Sequence, residues 1–220
     1  MTTENGRMNN GEKLKILVFG ATGTTGSAVV ERALECGYAV TAFVRNPDNV
    51  ATRHPDLKLV QGDVLDPAAV EKAMPGHDAV ISSLGAGMQG TIRSEGTRNI
   101  IRAMQKAGVQ RFIAQSTLGV GDSRKNLNAY WKYIMFGLLL RRAYADHVLQ
   151  ERYITASQLD WIIVRPGALI AGERRGTYRH GFSASTKNLA LEISIADVAD
   201  FMLQQVQDDT YLHAAPGLSY

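Results

Sequence analysis

Gly20, Gly23 and Gly26 stand between an apolar run at residues 16–19 and a stretch whose apolar residues, Ala28, Val29, Ala33 and Leu34, recur at helical spacing. Glycines three apart, placed where a strand runs into a helix, suit a diphosphate. The first allows a tight turn, the second lets the backbone approach a pyrophosphate, and the third lets the helix pack close to the strand. The N–H groups of that helix's first turn are unpaired and lie at the positive end of its dipole. Thr22, Thr24 and Thr25 fill the rest of the cradle. A second strand expected at 38–44 completes one βαβ unit, a context that an ordinary glycine turn lacks.

Arg45 follows that strand, where an acidic residue would hold a ribose 2′-hydroxyl in an NAD site. A guanidinium there suits a 2′-phosphate, hence NADP with NADPH preferred over NADH, although a solvated turn before Asn46-Pro47-Asp48 is the alternative. Asp63, beside Val64 after a strand at 57–61, either accepts from an adenine amino group or makes a simple turn. Ser83, Leu84 and Gly85, continuing into Ala86 and Gly87, end a strand at 78–83 with small residues past which a cofactor could run. Ser116 and Thr117 end a strand at 111–115 and could hydrogen-bond a carboxamide or an acceptor, or merely turn the chain. Pro166 and Gly167 end a strand at 161–164 near the expected nicotinamide position. His147 could orient the cofactor or move a proton near neutral pH, or serve the core. The other four histidines have no partner spacing that suggests a metal, and none is expected.

The elements that must position these residues alternate strand and helix. Helices are expected over 25–36, from an Asp66 N-cap with Pro67 behind it to about Met74, over 94–107, over 143–157, and after a Ser194 cap. This is a single α/β domain, doubly wound, with a mostly parallel sheet and helices on both faces. Residues 118–133 read as a long loop. The apolar run 134–140, from Ile134 to Leu140, would line a substrate pocket, meet a partner, or start the next helix. Arg174, Arg175 and Arg179 form a basic loop, either attracting an anion or simply solvated. Residues 210–220 read as a short strand and tail.

The chain has 220 residues, a net charge of +3 and one cysteine, Cys36, so no disulfide framework or basic stripe for nucleic acid is expected. Residues 1–13 are polar and are expected to be a disordered tail ahead of a domain over 14–220. No apolar run is long enough to span a bilayer, so a cytoplasmic location and no membrane partner are expected.

Taken together, Gly20-Ala-Thr-Gly23-Thr-Thr-Gly26, Val44-Arg45-Asn46, Gly62-Asp63-Val64, Ser94-Glu95-Gly96, Asp146-His147 and Val164-Arg165-Pro166-Gly167 resemble the atypical short-chain dehydrogenase/reductases. The likeness is to the NmrA-like, NADPH-dependent flavin reductase or biliverdin reductase B group. It implies a Rossmann fold binding NADP. It also implies hydride transfer to a flavin or similar planar acceptor such as a tetrapyrrole or quinone, with Thr117 at the position of a serine implicated in that group. Gly167 and Ala168 stand where the biliverdin reductase B pattern has a histidine. No tyrosine here has a lysine four residues later, so the alcohol and epimerase chemistry of ordinary members is disfavoured. Hydride transfer to a flavin needs chiefly alignment and survives that loss. The alternative is a non-catalytic NADP-binding sensor of NmrA type, with residues 134–140 as its partner surface.

Overall fold

The computed structural model describes residues 8–9, 12–85 and 90–220. Of the tail expected over 1–13, residues 1–7, 10 and 11 lie outside the described residues, as do Ala86 and Gly87 of the expected cofactor passage. Strands β1 (Met8–Asn9) and β2 (Glu12–Lys13) pair antiparallel. The doubly wound unit follows as β3 (Lys15–Phe19), α1 (Thr24–Glu35), β4 (Ala39–Val44), β5 (Leu57–Gln61), α2 (Pro67–Ala73), β6 (Ala79–Ser82), α3 (Ile92–Ala107) and β7 (Arg111–Gln115). It continues through α4 (Arg141–Thr155), β8 (Asp160–Pro166), β9 (Ala168–Ile170), β10 (Arg179–His180), β11 (Glu192–Ser194), α5 (Ile195–Gln204) and β12 (Gly217–Ser219).

The eight-stranded sheet has the order β10-β12-β8-β7-β6-β3-β4-β5 and is parallel except at β10. From β3 the chain winds outward through β4 and β5, then crosses back to pair β6 on the other side of β3, with Phe19 opposite Ser82. The crevice beyond the strands' carboxyl ends at such a reversal is where this architecture takes ligands.

Alternation of side chains along each strand builds a core on both faces. Ile16 and Val18 pack with Val29 and Ala33 of α1 and Val198 and Met202 of α5. Leu17 and Phe19 face the other way, with Val70, Ile100, Met104 and Ile154 of α2, α3 and α4. Local start signals work as the sequence implies. The Asp66 carboxylate accepts from Ala68 N at 3.0 Å, with Pro67 opening α2, and Ser194 Oγ accepts from Asp197 N at 3.1 Å.

Three expectations are corrected. First, α3 starts at Ile92 rather than Ser94, because its open N–H groups are bonded from another helix, as described below. Second, residues 118–133 are not one loop. Gly121–Asn126 forms a 3₁₀ turn, and Tyr130–Leu139 forms a wide helix that ends with Leu140 N donating to Met135 O at 2.7 Å, five residues back. Third, of the short strand and tail expected over 210–220, the strand is present as β12 and is internal: it inserts between β8 and β10, its three residues buried.

Candidate active site

A cleft of about 710 Å³ opens at the carboxyl ends of the central strands. It is lined by Gly20, Thr22, Gly23, Thr24, Thr25, Arg45, Asp63, Val64, Ser83, Leu84, Gly85, Ser116, Thr117, His147, Pro166 and Gly167. Among the described residues, Gly26 is the expected site residue that does not line it. It acts from beneath, since a Cβ there would lie 2.0 Å from Gly20 O and 2.8 Å from Ser83 Oγ. Gly20 sits at φ +79°, and a Cβ on it would meet Ser83 O at 2.5 Å. The turn closes with Gly23 N donating to Gly20 O at 2.9 Å. The α1 N-terminus has no side-chain cap and no acidic residue in its first turn, so its donors are left for an anion.

At both Arg45 and Asp63 the turn expected from the sequence forms, and the side chain still borders the cleft. Asn46 Oδ1 accepts from Asp48 N at 3.0 Å and makes the turn, while Arg45, exposed at the cleft, has no partner for its guanidinium among the described residues. Asp63 makes an Asx turn, Oδ1 accepting from Leu65 N at 2.9 Å, and still faces the cleft.

Farther along, the cleft passes Gln115, Ser116 and Thr117 at the end of β7. Ser116 Oγ is buried with no hydrogen-bond partner among the described residues, an orphan that a bound polar group would satisfy. Thr117 Oγ1 has only a long contact to Leu118 O, 3.5 Å. His147 is held by Gln150, whose amide nitrogen donates to Gln115 O and Thr97 Oγ1, each at 3.4 Å. Gln150 Oε1 therefore faces His147 Nδ1 at 3.1 Å, and the proton belongs on Nδ1. Burial, reinforced by the positive charge of Arg93, pushes the imidazole down to about 4, so it is neutral at pH 7 with Nε2 as an acceptor. This corrects the expectation of a charge change near neutrality. The ring does not change charge near pH 7.

That burial has a measurable consequence. An unfolded-chain histidine binds its proton near 6.5, so between that pH and 4 the unfolded state holds more protons than the folded one. Stability contributed above 6.5 is lost as pH falls toward 4, by up to about 3 kcal/mol. The expected result is a urea midpoint that drops across this window in the unaltered protein and drops less in His147→Gln.

Asp146, its neighbour, is structural. Buried on α4, it accepts from Arg93 N at 3.1 Å, Ser94 N at 3.0 Å and Ser94 Oγ at 2.6 Å, capping α3 from the neighbouring helix. Arg165 is likewise committed, bonding Glu151 through Nε and Nη2 at 3.0 and 2.6 Å and Asp122 through Nη1 at 2.7 Å. This ties the 3₁₀ turn to β8 and α4.

The far end of the cleft is apolar. Leu118, Leu127, Phe136 and Leu191 form a small separate core with Trp131, Leu140 and Tyr144 against it, and the Trp131 and Phe136 rings lie 5.6 Å apart. The run 134–140 thus divides. Phe136 and Leu140 line the cleft while Ile134, Leu138 and Leu139 are exposed. The basic loop lies outside the cleft. Arg174 pairs with Asp200 at 3.4 Å, Arg175 stacks 4.1 Å from the Tyr220 ring centroid, and Arg179 donates to Asn188 O at 3.2 Å. Among the described residues no cluster of His, Cys, Asp and Glu could hold a metal, and no helix is long and apolar enough to cross a membrane.

Sequence reading missed Leu127, Leu191 and Arg93 as cleft residues and Gln150 as the anchor of His147, and none of the four carried a local signal.

Glycine cradle, switch-point crevice and sheet order together define a Rossmann-type NAD(P)H-binding domain. The chain belongs to the NAD(P)H-binding family, which it matches over residues 20–209. It is 31% identical over 181 residues to an uncharacterized chloroplastic protein of Arabidopsis thaliana, covering 76% of this chain and 63% of that one. Among solved structures, the oxidoreductase YlbE of Lactococcus lactis is 27% identical with a TM-score of 0.77, covering 93% of this chain and 90% of that one. ChuY, an anaerobilin reductase from Escherichia coli O157:H7, is also 27% identical, with a TM-score of 0.75 and coverage of 93% and 96%. These findings bear out the likeness to atypical, NmrA-like short-chain dehydrogenase/reductases. The chain spans about half to two thirds of the length of the curated relatives it matches first.

Proposed function

We propose that the protein is an NADPH-dependent reductase that delivers hydride to a planar, largely apolar acceptor such as a flavin, a tetrapyrrole or a quinone. The observation that carries this reading is the continuity of one cleft. It runs from an uncapped helix N-terminus and a free Arg45 guanidinium, past neutral polar groups, to a wall of Trp131, Phe136, Leu127 and Leu191. The donor set fits the cofactor. The α1 amides would hold its diphosphate and Arg45 its 2′-phosphate, while the orphaned Ser116 hydroxyl would meet a polar group of the acceptor. Bound there, NADPH supplies a hydride to the acceptor, which takes its matching proton from water.

The chain's own work is alignment. His147, lining the cleft with Nε2 unprotonated, would offer an acceptor to a hydroxyl of the bound cofactor, and its Nδ1 contact with Gln150 fixes the tautomer. Ser116 and Thr117, at the end of β7, would position the acceptor in the cleft, where small misplacements are costly. The apolar wall covers the acceptor face and limits water. The tetrapyrrole option draws support from ChuY, although the motif histidine of the biliverdin reductase B pattern is replaced here by Gly167 and Ala168. Replacing Ser116 by Ala together with Thr117 by Val should lower turnover by about tenfold or more, the effect of a lost hydrogen bond in the transition state. Calorimetry should show NADPH affinity retained. Unchanged turnover would remove both residues from the chemistry.

A further inference from the structure

We propose that the outer face of the Tyr130–Leu139 helix seats the protein on an anionic membrane surface. Two independent features meet there. Of seven large hydrophobic side chains exposed among the described residues, five lie in this one segment, with Tyr133 at 69% and Leu138 at 70% exposure. Tyr130, Ile134 and Leu138 follow one another at intervals of four and share a face, while Trp131 and Phe136 turn inward to the cleft. Tyrosines beside leucines are the side chains that favour the boundary between headgroups and acyl chains.

The second feature is charge. Residues 123–145 contain Arg124, Lys125, Lys132, Arg141 and Arg142 and no aspartate or glutamate, and among the described residues no carboxylate pairs with any of the five. Lys125 and Lys132 join Lys187 around a shallow hollow beside the helix, lined otherwise by Ser183, Ala184 and Ser185. Three ammonium groups around one acid-free hollow suit phosphate headgroups, and cations flanking an apolar face can keep their stems on it while their charges reach outward.

These features choose among occupants. A second copy meeting this face by two-fold symmetry would set the same cations against each other without compensating acid. A bilayer with anionic lipid offers both an apolar layer and negative charge. The helix is ten residues long, too short to span, and the absence of a spanning segment does not bear on a helix that lies in the interface. Its inward residues line the cleft, so docking would bring the acceptor end of the site to the lipid surface. This inference does not depend on which acceptor is reduced.

The test is sedimentation of the full chain with vesicles of phosphatidylcholine alone or mixed with phosphatidylglycerol. The unaltered protein should partition onto the mixed vesicles, less so as salt is raised, and only weakly onto phosphatidylcholine. Leu138→Ser/Leu139→Ser and Arg141→Gln/Arg142→Gln should each bind at least about tenfold more weakly, while both keep the NADPH affinity of the unaltered protein, which shows that they fold. No partition at low salt, or equal partition of the variants, would overturn the proposal. So would a dimer in gel filtration that Leu138→Ser/Leu139→Ser converts to a monomer without any vesicle binding, which would give the face to a second copy.

Discussion

Arg45→Ala should weaken NADPH binding by about ten- to a hundredfold while leaving NADH binding nearly unchanged. The side chain stands at the carboxyl end of β4, exposed at the cleft, and Asn46 relieves it of any role in the following turn. With no partner for the guanidinium among the described residues, the substitution removes what that group does for a ligand. A charge-assisted bond to a phosphate contributes roughly 1.5–3 kcal/mol net, which sets the expected range. NADH carries a hydroxyl where NADPH carries the phosphate and gains little from Arg45. Titration calorimetry with both cofactors reads the difference directly. Equal losses would mean that Arg45 touches a part common to both and that the preference for NADPH has no basis here.

Gly20→Ala should damage both the fold and the site. At φ +79° any other L-residue costs about 1–2 kcal/mol. The new methyl would also fall 2.5 Å from Ser83 O, so the backbone after β6 must move, a strain of about 1–3 kcal/mol. A total near 2–5 kcal/mol is expected as a lower urea midpoint. Because Gly20 O also anchors the turn through Gly23 N, the start of α1 shifts with it, and NADPH binding should fall below detection even where the variant is still folded. A folded variant with undiminished affinity would show that this turn is not the phosphate cradle.

What could be read in the sequence was local. The strand β3, the glycine turn and α1 announce themselves within a dozen residues, because alternation, turn chemistry and helical spacing follow one another there. The same holds for Asp66 with Pro67 and for Ser194, whose side chains bond the backbone two or three residues on. The start of α3 was displaced because its cap, Asp146, comes from a residue some fifty positions away. His147 was visible, but its tautomer was not, since that depends on Gln150 reaching back to the carbonyl of Gln115. The apolar run after Tyr133 admitted three readings because it serves two surfaces, and spacing alone cannot divide a helix between a cleft and solvent. Likewise, charge in the basic loop was plain, while its neutralisation by Asp200, the Tyr220 ring and backbone carbonyls required the folded chain.

The most direct measurement follows the near-ultraviolet absorbance of NADPH with the full chain present, after calorimetry has established binding, while FMN, riboflavin, biliverdin and a quinone are added in turn. Oxidation well above the protein-free rate with at least one planar acceptor, lowered in the Ser116→Ala/Thr117→Val variant, is the result expected of a reductase. Tight NADPH binding with no oxidation by any of them would contradict that account and leave a cofactor-binding regulator in its place.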